Sequence, residues 1–247
     1  MSRTRTFKLT LAYDGTAFCG WQLQANQRSV QGVCEEALRA LADRRVVIHA
    51  AGRTDSGVHA IGQVISFDLE TEMASEKLWR ALNVRLPFDV RVLGVEEAAP
   101  SFNARYDARR KTYRYDLDNA TVVLPQRRHF VWHLRDPLDV AAMGAAAATL
   151  LGTHDFVAFQ AAGGDVFTSR RQLTVSQVRK IDSQISYEVT GSGFLRHMVR
   201  NIVGTLVDIG RGRRSVDAMR EVLLSRDRAQ ASATAPPHGL TLWSVEY

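Results

Sequence analysis

The sequence is poor in cysteine, in lysine and in long apolar runs, and each shortage narrows what the chain can be. Only two cysteines occur, Cys19 and Cys34, too few for a four-cysteine zinc site and in keeping with a reducing compartment. The longest stretch without a charged residue or histidine, Val140 to Thr153, is too short and too rich in alanine to span a bilayer. Arg3, Arg5 and Lys8 lead into alternating residues with no apolar signal-peptide core, so a cytoplasmic protein is expected. Neither a glycine-rich nucleotide loop nor a cluster of metal ligands is visible.

The shortage of lysine is the counterpart of an excess. Of 32 lysine and arginine residues only Lys8, Lys77, Lys111 and Lys180 are lysine, and the net charge is +6. Arginine presents a planar fork that suits phosphate oxygens and stacks on bases, which fits a nucleic-acid partner. A GC-rich genome would give the same bias, so the positions of the arginines have to decide. At 247 residues, 45% hydrophobic and 23% charged, the chain has the composition of a soluble globular protein of one large or two small domains.

Periodicity divides the chain into two runs of strands and helices. Apolar residues fall on every second position from Phe7 to Tyr13, which predicts a half-buried strand ended by Asp14-Gly15. Ser29 stands as N-cap of a helix whose Val30, Val33, Ala37, Leu38 and Leu41 share one face. Val46–His49 and Val64–Leu69 read as the next strands, the second with Ile65, Phe67 and Leu69 alternating. Ser75 opens a helix through about Asn83, stopped by Pro87, and strand resumes from Val90 to Val95. Strand-helix-strand-strand-helix-strand is the split pattern of ferredoxin-like folds.

Beyond a boundary at residues 100–110, a strand over Lys111–Leu117 precedes a helix over Pro137–Leu151, ended at Gly152. Leu173–Ile181 and Gln184–Thr190 form a hairpin. Phe194–Ile209 is an amphipathic helix with Leu195, Val199, Ile202, Val203, Leu206 and Ile209 inward. Ser215 caps a further helix, and Leu240–Tyr247 is a final strand. The similar order of the two runs, without any visible sequence repeat, points to an α+β protein of pseudo-twofold design. Its expected halves are residues 1–105 and 106–247.

The most distinctive stretch is Ala51-Gly52-Arg53-Thr54-Asp55-Ser56-Gly57-Val58-His59-Ala60, between two predicted strands. Its glycines let the backbone turn sharply and approach a ligand. Asp55 between them, with Arg53 two residues earlier, makes a sensible site for a positioned carboxylate. Asp-Ser-Gly is also good turn chemistry, and Arg53 could serve only to pair with a surface acid. Residues 109–115, Arg-Arg-Lys-Thr-Tyr-Arg-Tyr, interleave cations with aromatics. On a strand, Tyr113 and Tyr115 share one face, Thr112 and Arg114 the other. Such a surface can stack an unpaired base and neutralise its phosphates, unless the tyrosines belong to the core.

Arg196 and Arg200, four apart on the helix starting near Phe194, share the face opposite its apolar stripe. They are placed to bind phosphate, to pair with Asp55, or only to solubilise the helix. His129 and His133 have helical spacing but no acidic pair and no third ligand beside them, so a metal hydrolase is disfavoured. His59 and His154 read as structural or RNA-contacting groups.

Across nearly its whole length the sequence resembles the tRNA pseudouridine synthases of the A type, which modify the anticodon stem–loop. The blocks that carry the resemblance are Tyr13-Asp14-Gly15 with Phe18 and Gly20-Trp21-Gln22, Ser29-Val30-Gln31, and Ala51–Ala60 followed by Gly62-Gln63-Val64. Later come Phe102 to Arg105, Lys111 to Tyr115, Leu151 to Phe156, Met198-Val199-Arg200-Asn201 with Gly204, and Ala233 to Pro236 with Gly239-Leu240. Asn103 and Arg196 depart from the pattern, standing where histidine and an aromatic or histidine are usual.

The resemblance implies that Asp55 is the catalytic aspartate, that Tyr113 packs on the target uracil, that Arg53 helps displace or hold the flipped nucleotide, and that Arg200 pairs with Asp55. It implies two ferredoxin-like halves related by a pseudo-twofold, sharing a mixed, mainly antiparallel sheet with a central cleft. It also implies a homodimer that grips one tRNA, acts at positions 38 to 40, and uses no metal or cofactor.

The implied reaction breaks the bond from C1′ to N1 of a uridine, turns the uracil, and joins C1′ to C5. A carboxylate can add at the sugar or the base, or act on a proton. Tyr113 is a second candidate for a general base. The competing reading is a non-catalytic RNA-binding protein of two RNA-recognition-like halves, with Tyr113 and Tyr115 as a stacking platform and Asp55 as a turn residue. The lack of a typical RNP aromatic motif counts against it.

Overall fold

The computed structural model describes residues 3–163 and 167–247. It is mixed α+β, with mostly antiparallel strands and, among the described residues, five α-helices. The chain forms two compact units, residues 1–109 together with 242–247, and residues 110–241.

The first unit opens with β1 (Thr4–Tyr13), whose Phe7, Leu9, Leu11 and Tyr13 are all buried as the alternation predicts. A 3-10 turn at Gly15–Ala17 leads towards α1 (Val30–Ala42). Ser29 caps α1 as expected, its hydroxyl accepting from the Gly32 N–H at 3.2 Å. The buried face is Val30, Cys34, Ala37 and Leu38, with Val33 and Leu41 at its margin.

The next strand is shorter and later than its sequence suggests. β2 is His49–Ala50, whereas Val46 and Ile48 are buried without joining a ladder. Only His49 and Ala50 come into register with β3 (His59–Glu70), opposite Ser66 and Ile65. β3 extends past the expected strand at its N-terminal end, and every residue from Gly62 to Phe67 is buried, so both of its faces are covered.

α2 (Ser75–Arg85) and β4 (Val90–Ala98) complete the unit, with strand order β4-β1-β3, antiparallel throughout. Backbone groups of β4 are met by α2: Trp79 Nε1 donates to Val92 O at 2.7 Å, and the Asn83 amide both donates to and accepts from Val92.

The second unit contains β5 (Arg110–Asp118), β6 (Trp132–His133), α3 (Val140–Ala148), β7 (Gly152–Asp155), β8 (Arg170–Ile181), β9 (Gln184–Gly191), α4 (Met198–Gly210) and α5 (Ala218–Ser225). The last strand, β10 (Leu240–Glu246), begins there and enters the first unit at Leu242. Strands run β5-β9-β8-β7, antiparallel, with β6 parallel to the end of β5. The β8–β9 hairpin is as expected, turned at Asp182 with φ +53°.

Three helices differ from their sequence outlines for local reasons. α3 is confined by the Asp139 carboxylate, which accepts from the Ala142 N–H at 2.9 Å, and by i−3 bonds from Leu150 and Leu151. α4 begins at Met198 because His197 takes φ +59°, outside the right-handed region, so Phe194 to Arg196 are not helical. Ser215 is not a cap: its carbonyl closes a turn on the Ala218 N–H, and Asp217 occupies the N-cap of α5. His129 and His133 also lose their helical relation, since His133 lies in β6 with Nε2 on Ala120 O at 2.8 Å. Among the described residues no group of three histidine, cysteine or acidic side chains is placed to hold a metal, and no helix is long and apolar enough to cross a membrane.

Candidate active site

The loop between β2 and β3 is held at both ends and from beneath. At its start Ala51 is buried with Val64 and Ala104 in a small apolar cluster, and its N–H donates to Val64 O at 2.8 Å. The Thr54 side chain points inward, its hydroxyl 2.8 Å from that of Tyr13. Gln63 is fully buried: Nε2 donates to Gly52 O at 2.8 Å and to the Tyr13 hydroxyl at 3.4 Å, while Oε1 accepts from the Val64 N–H. Each polar group in this buried set thus has a partner. Burial pushes the Tyr13 hydroxyl far above its usual pKa, against the smaller pull of Thr54 and Gln63, so it stays neutral.

The backbone around Asp55 is fixed as closely. Thr54 O accepts from the Trp21 N–H at 3.0 Å, and Asp55 O accepts from the Val58 N–H at 3.1 Å. Gly57, at φ +77°, shapes that turn, and the Ser56 hydroxyl donates to Phe18 O at 3.2 Å. Gly20 packs against the same peptide groups at φ +106°, where a Cβ would lie 2.8 Å from Thr54 O. Burial alternates along the segment: Arg53 is exposed, Thr54 buried and Asp55 half-buried. The two charged residues flank a buried anchor and keep access to solvent.

In the second unit Tyr113 sits on β5 opposite Val189 of β9. It is 7% exposed, and its ring meets Phe194 edge-on with centroids 5.0 Å apart. Tyr115, on the same face, is core. It is fully buried, its hydroxyl donates to Pro236 O at 2.8 Å, and burial raises its pKa although the Arg200 charge acts the other way. Of the two tyrosines, only Tyr113 retains any exposure.

Arg200 lies in the first turn of α4, half-buried, with Nε donating to Ala235 O at 2.8 Å and the Ala235 N–H returning a bond to Arg200 O. The 233–235 segment lies so close to α4 that a Cβ on Gly204 would come within 1.9 Å of Ala233 O. Asn201, fully buried, ties the segment down by accepting from Thr234 Oγ1 at 2.7 Å and donating to Phe159 O. Arg196 does not share a helical face with Arg200. It precedes the helix, and its Nη1 donates to Ala162 O at 2.8 Å. Arg53 and Asp55 therefore share one loop of the first unit, and Tyr113 and Arg200 belong to the second.

Sequence reasoning selected residues 51–60 but gave no role to Tyr13, Gly20, Trp21 or Gln63, which build the loop's support. Gln63 carried a signal, an amide within the otherwise apolar run from Ala60 to Ile65. The pairing of Tyr13 with Thr54 did not, because the residues are 41 apart in sequence. Thr54→Val should leave the Tyr13 hydroxyl with only its long contact to Gln63 and cost about 1–3 kcal/mol, read as a lower denaturation midpoint. In a double-mutant cycle Tyr13→Phe should cost less in the Thr54→Val background than alone; strictly additive effects would show that the two hydroxyls do not act together.

The family model for tRNA pseudouridine synthase matches residues 10–107 and 146–247, segments that contain Arg53, Asp55 and Arg200 but not Tyr113. The chain is 48% identical over 247 residues to tRNA pseudouridine synthase A of Chloroflexus aurantiacus, covering 98% of this chain and 89% of that one. It is 48% identical over 242 residues to the protein of the same name from Moorella thermoacetica, covering 97% and 98% of the two chains. The corresponding protein of Maridesulfovibrio salexigens is 46% identical over 246 residues, or 97% of this chain and 89% of the relative.

Proposed function

The chain belongs to the tRNA pseudouridine synthase family, and from that membership we propose that Asp55 is the nucleophile with which it converts a uridine of tRNA into pseudouridine. The reaction is an isomerisation. C1′–N1 cleaves, C1′–C5 forms, C5 gives up its proton and N1 gains one. A carboxylate oxygen that adds to the nucleoside, at C1′ or at C6, divides this transfer into two easier steps and is released unchanged. The balance calls for no electron donor, group donor or metal.

One observation above all supports the reading: Asp55 is half-buried on a loop whose neighbouring groups, the Thr54 hydroxyl and the peptide oxygens of residues 52, 54 and 55, are tied to Tyr13, Gln63, Trp21 and Val58. A carboxylate held in advance of substrate binding loses little freedom on reaching the reactive geometry. In this reading Arg53 holds the extruded nucleotide, Tyr113 stacks on its uracil, and Arg200 pairs with Asp55 and favours its charged form. The proposal extends to what the family resemblance implies of the rest. The substrate is the anticodon stem–loop at positions 38 to 40, and a homodimer acts on it in the cytoplasm. The halves, residues 1–105 with the aspartate loop and 106–247 with the tyrosine and Arg200, are ferredoxin-like and related by a pseudo-twofold about a cleft.

Purified protein incubated with unmodified tRNA and no cofactor should produce pseudouridine confined to the anticodon arm, as mapped on the tRNA. Tight binding with no pseudouridine would instead identify an RNA-binding protein in which Asp55 only makes a turn. Tyr113→Phe should keep partial activity and Tyr113→Ala little, because the ring face, held by Phe194, is what meets the base. Equal turnover by wild type and Tyr113→Ala would remove the stacking role.

A further inference from the structure

We propose that His59 is a positioning residue for Asp55, a hydrogen-bond acceptor that fastens the turn after β1 to the C-terminal side of the Asp55 loop. The inference rests on the reading of Asp55 as the reacting group. His59 is the first residue of β3, four after Asp55, and only 3% exposed. A buried imidazole has to satisfy its nitrogens within the protein. Nδ1 accepts from the Gly15 N–H at 3.0 Å, and a nitrogen that accepts carries no proton, so the ring is neutral with its hydrogen on Nε2. Asp14 Oδ1 lies 3.3 Å from the same nitrogen, but it also accepts from the Thr16 N–H at 3.0 Å and the Thr16 hydroxyl at 2.5 Å. Asp14 thereby shapes the turn that aims the Gly15 N–H at the ring.

The bond matters because of what Gly15 touches. A Cβ on Gly15 would lie 2.0 Å from Val58 O, so its peptide rests directly on Val58. Val58 in turn closes the tight turn on Asp55 O, and the segment that follows Gly15 reaches Ser56 and Gly57 through Phe18 O. Thr54–Tyr13 fixes the N-terminal side of Asp55, and His59–Gly15 fixes the C-terminal side. The ring thus acts through backbone geometry and does not need to meet the substrate.

An acceptor at the Nδ1 position is a narrower requirement than a filled space, and substitutions can separate the two. Asparagine can place its oxygen near Nδ1, glutamine places its amide near Nε2, and leucine fills volume alone. In full-length protein, His59→Gln and His59→Leu should lower kcat for pseudouridine formation about 100-fold, the scale of a displacement near 1 Å at a reacting group. The KM for tRNA should hold, because phosphate contacts dominate affinity. His59→Asn should recover most of kcat. Nitrogen NMR of the wild-type protein should show His59 neutral and protonated at Nε2, a readout that stands even where a variant folds poorly.

Wild-type kcat in His59→Leu, a folded His59→Asn as slow as His59→Leu, a loss confined to KM, or a ring protonated at Nδ1 would each overturn the proposal. A wild-type protein that makes no pseudouridine would refute the reading of Asp55, and the NMR result would still decide the hydrogen bond.

Discussion

Asp55→Asn should bind unmodified tRNA about as tightly as the wild type, yet form pseudouridine at least about 1000-fold more slowly. The substitution keeps the shape of the side chain and removes its charge and nucleophilicity. The loop should survive it, because bonds through Thr54, Trp21, Gln63 and Val58 hold its backbone. Binding should survive because phosphate contacts from an arginine-rich protein supply most of the affinity. Nucleoside analysis of digested tRNA reads the rate, and filter binding reads the affinity. A loss of affinity that matched the loss of rate would make Asp55 a binding residue instead.

Gly20→Ala should damage the Asp55 loop through backbone strain and crowding together. At φ +106° an L side chain is strained by about 1–3 kcal/mol. The added methyl would also meet Thr54 O at 2.8 Å and the Asp55 and Ser56 backbone at 3.1 Å. Since Thr54 is fixed on its far side by Tyr13, relief has to come from movement of the Thr54–Asp55 peptide itself. We expect a fall in melting temperature together with a loss of kcat on the order of 100-fold, with little change in tRNA affinity. Gly212, also at positive φ but with open space around its missing Cβ, provides the control. Gly212→Ala should show the strain in stability and spare turnover; equal kcat losses in the two variants would show that crowding of Thr54 is not the cause.

Much of the first unit was legible because period and burial agree there. β1 alternates and is buried on alternate residues, and Ser29 caps α1 by the bond its residue type predicts. β3 was under-read because a strand covered on both faces tolerates Gly62, Gln63 and Ser66 among its apolar residues, which blurs a period of two. β6 and β7, of two and four residues, are too short to carry a period at all. The start of α4 was misplaced because histidine gives no hint that it will adopt a left-handed backbone.

The loop of residues 51–60 stood out through its glycines and charges, whereas the contacts that support it did not. Tyr13, Gly20 and Gln63 act on it through pairings between residues far apart in sequence, and local pattern carries no information about those. Tyr113 and Tyr115 illustrate the same limit. Strand alternation puts both on one face, and only packing against Trp132 and Pro236 separates the core residue from the one left with some exposure.

The most direct test follows a single turnover, with protein in excess over tRNA whose uridines carry tritium at C5. Joining C1′ to C5 expels that hydrogen, so label appears in water only when the chemistry occurs, independent of binding and product release. Wild type should release the label from the anticodon arm in one phase. Asp55→Asn should retain it, and so should Asp55→Glu, which keeps the charge but moves it by one methylene. Release by Asp55→Asn at a rate near that of the wild type would contradict the assignment of this carboxylate as the group that attacks the nucleoside.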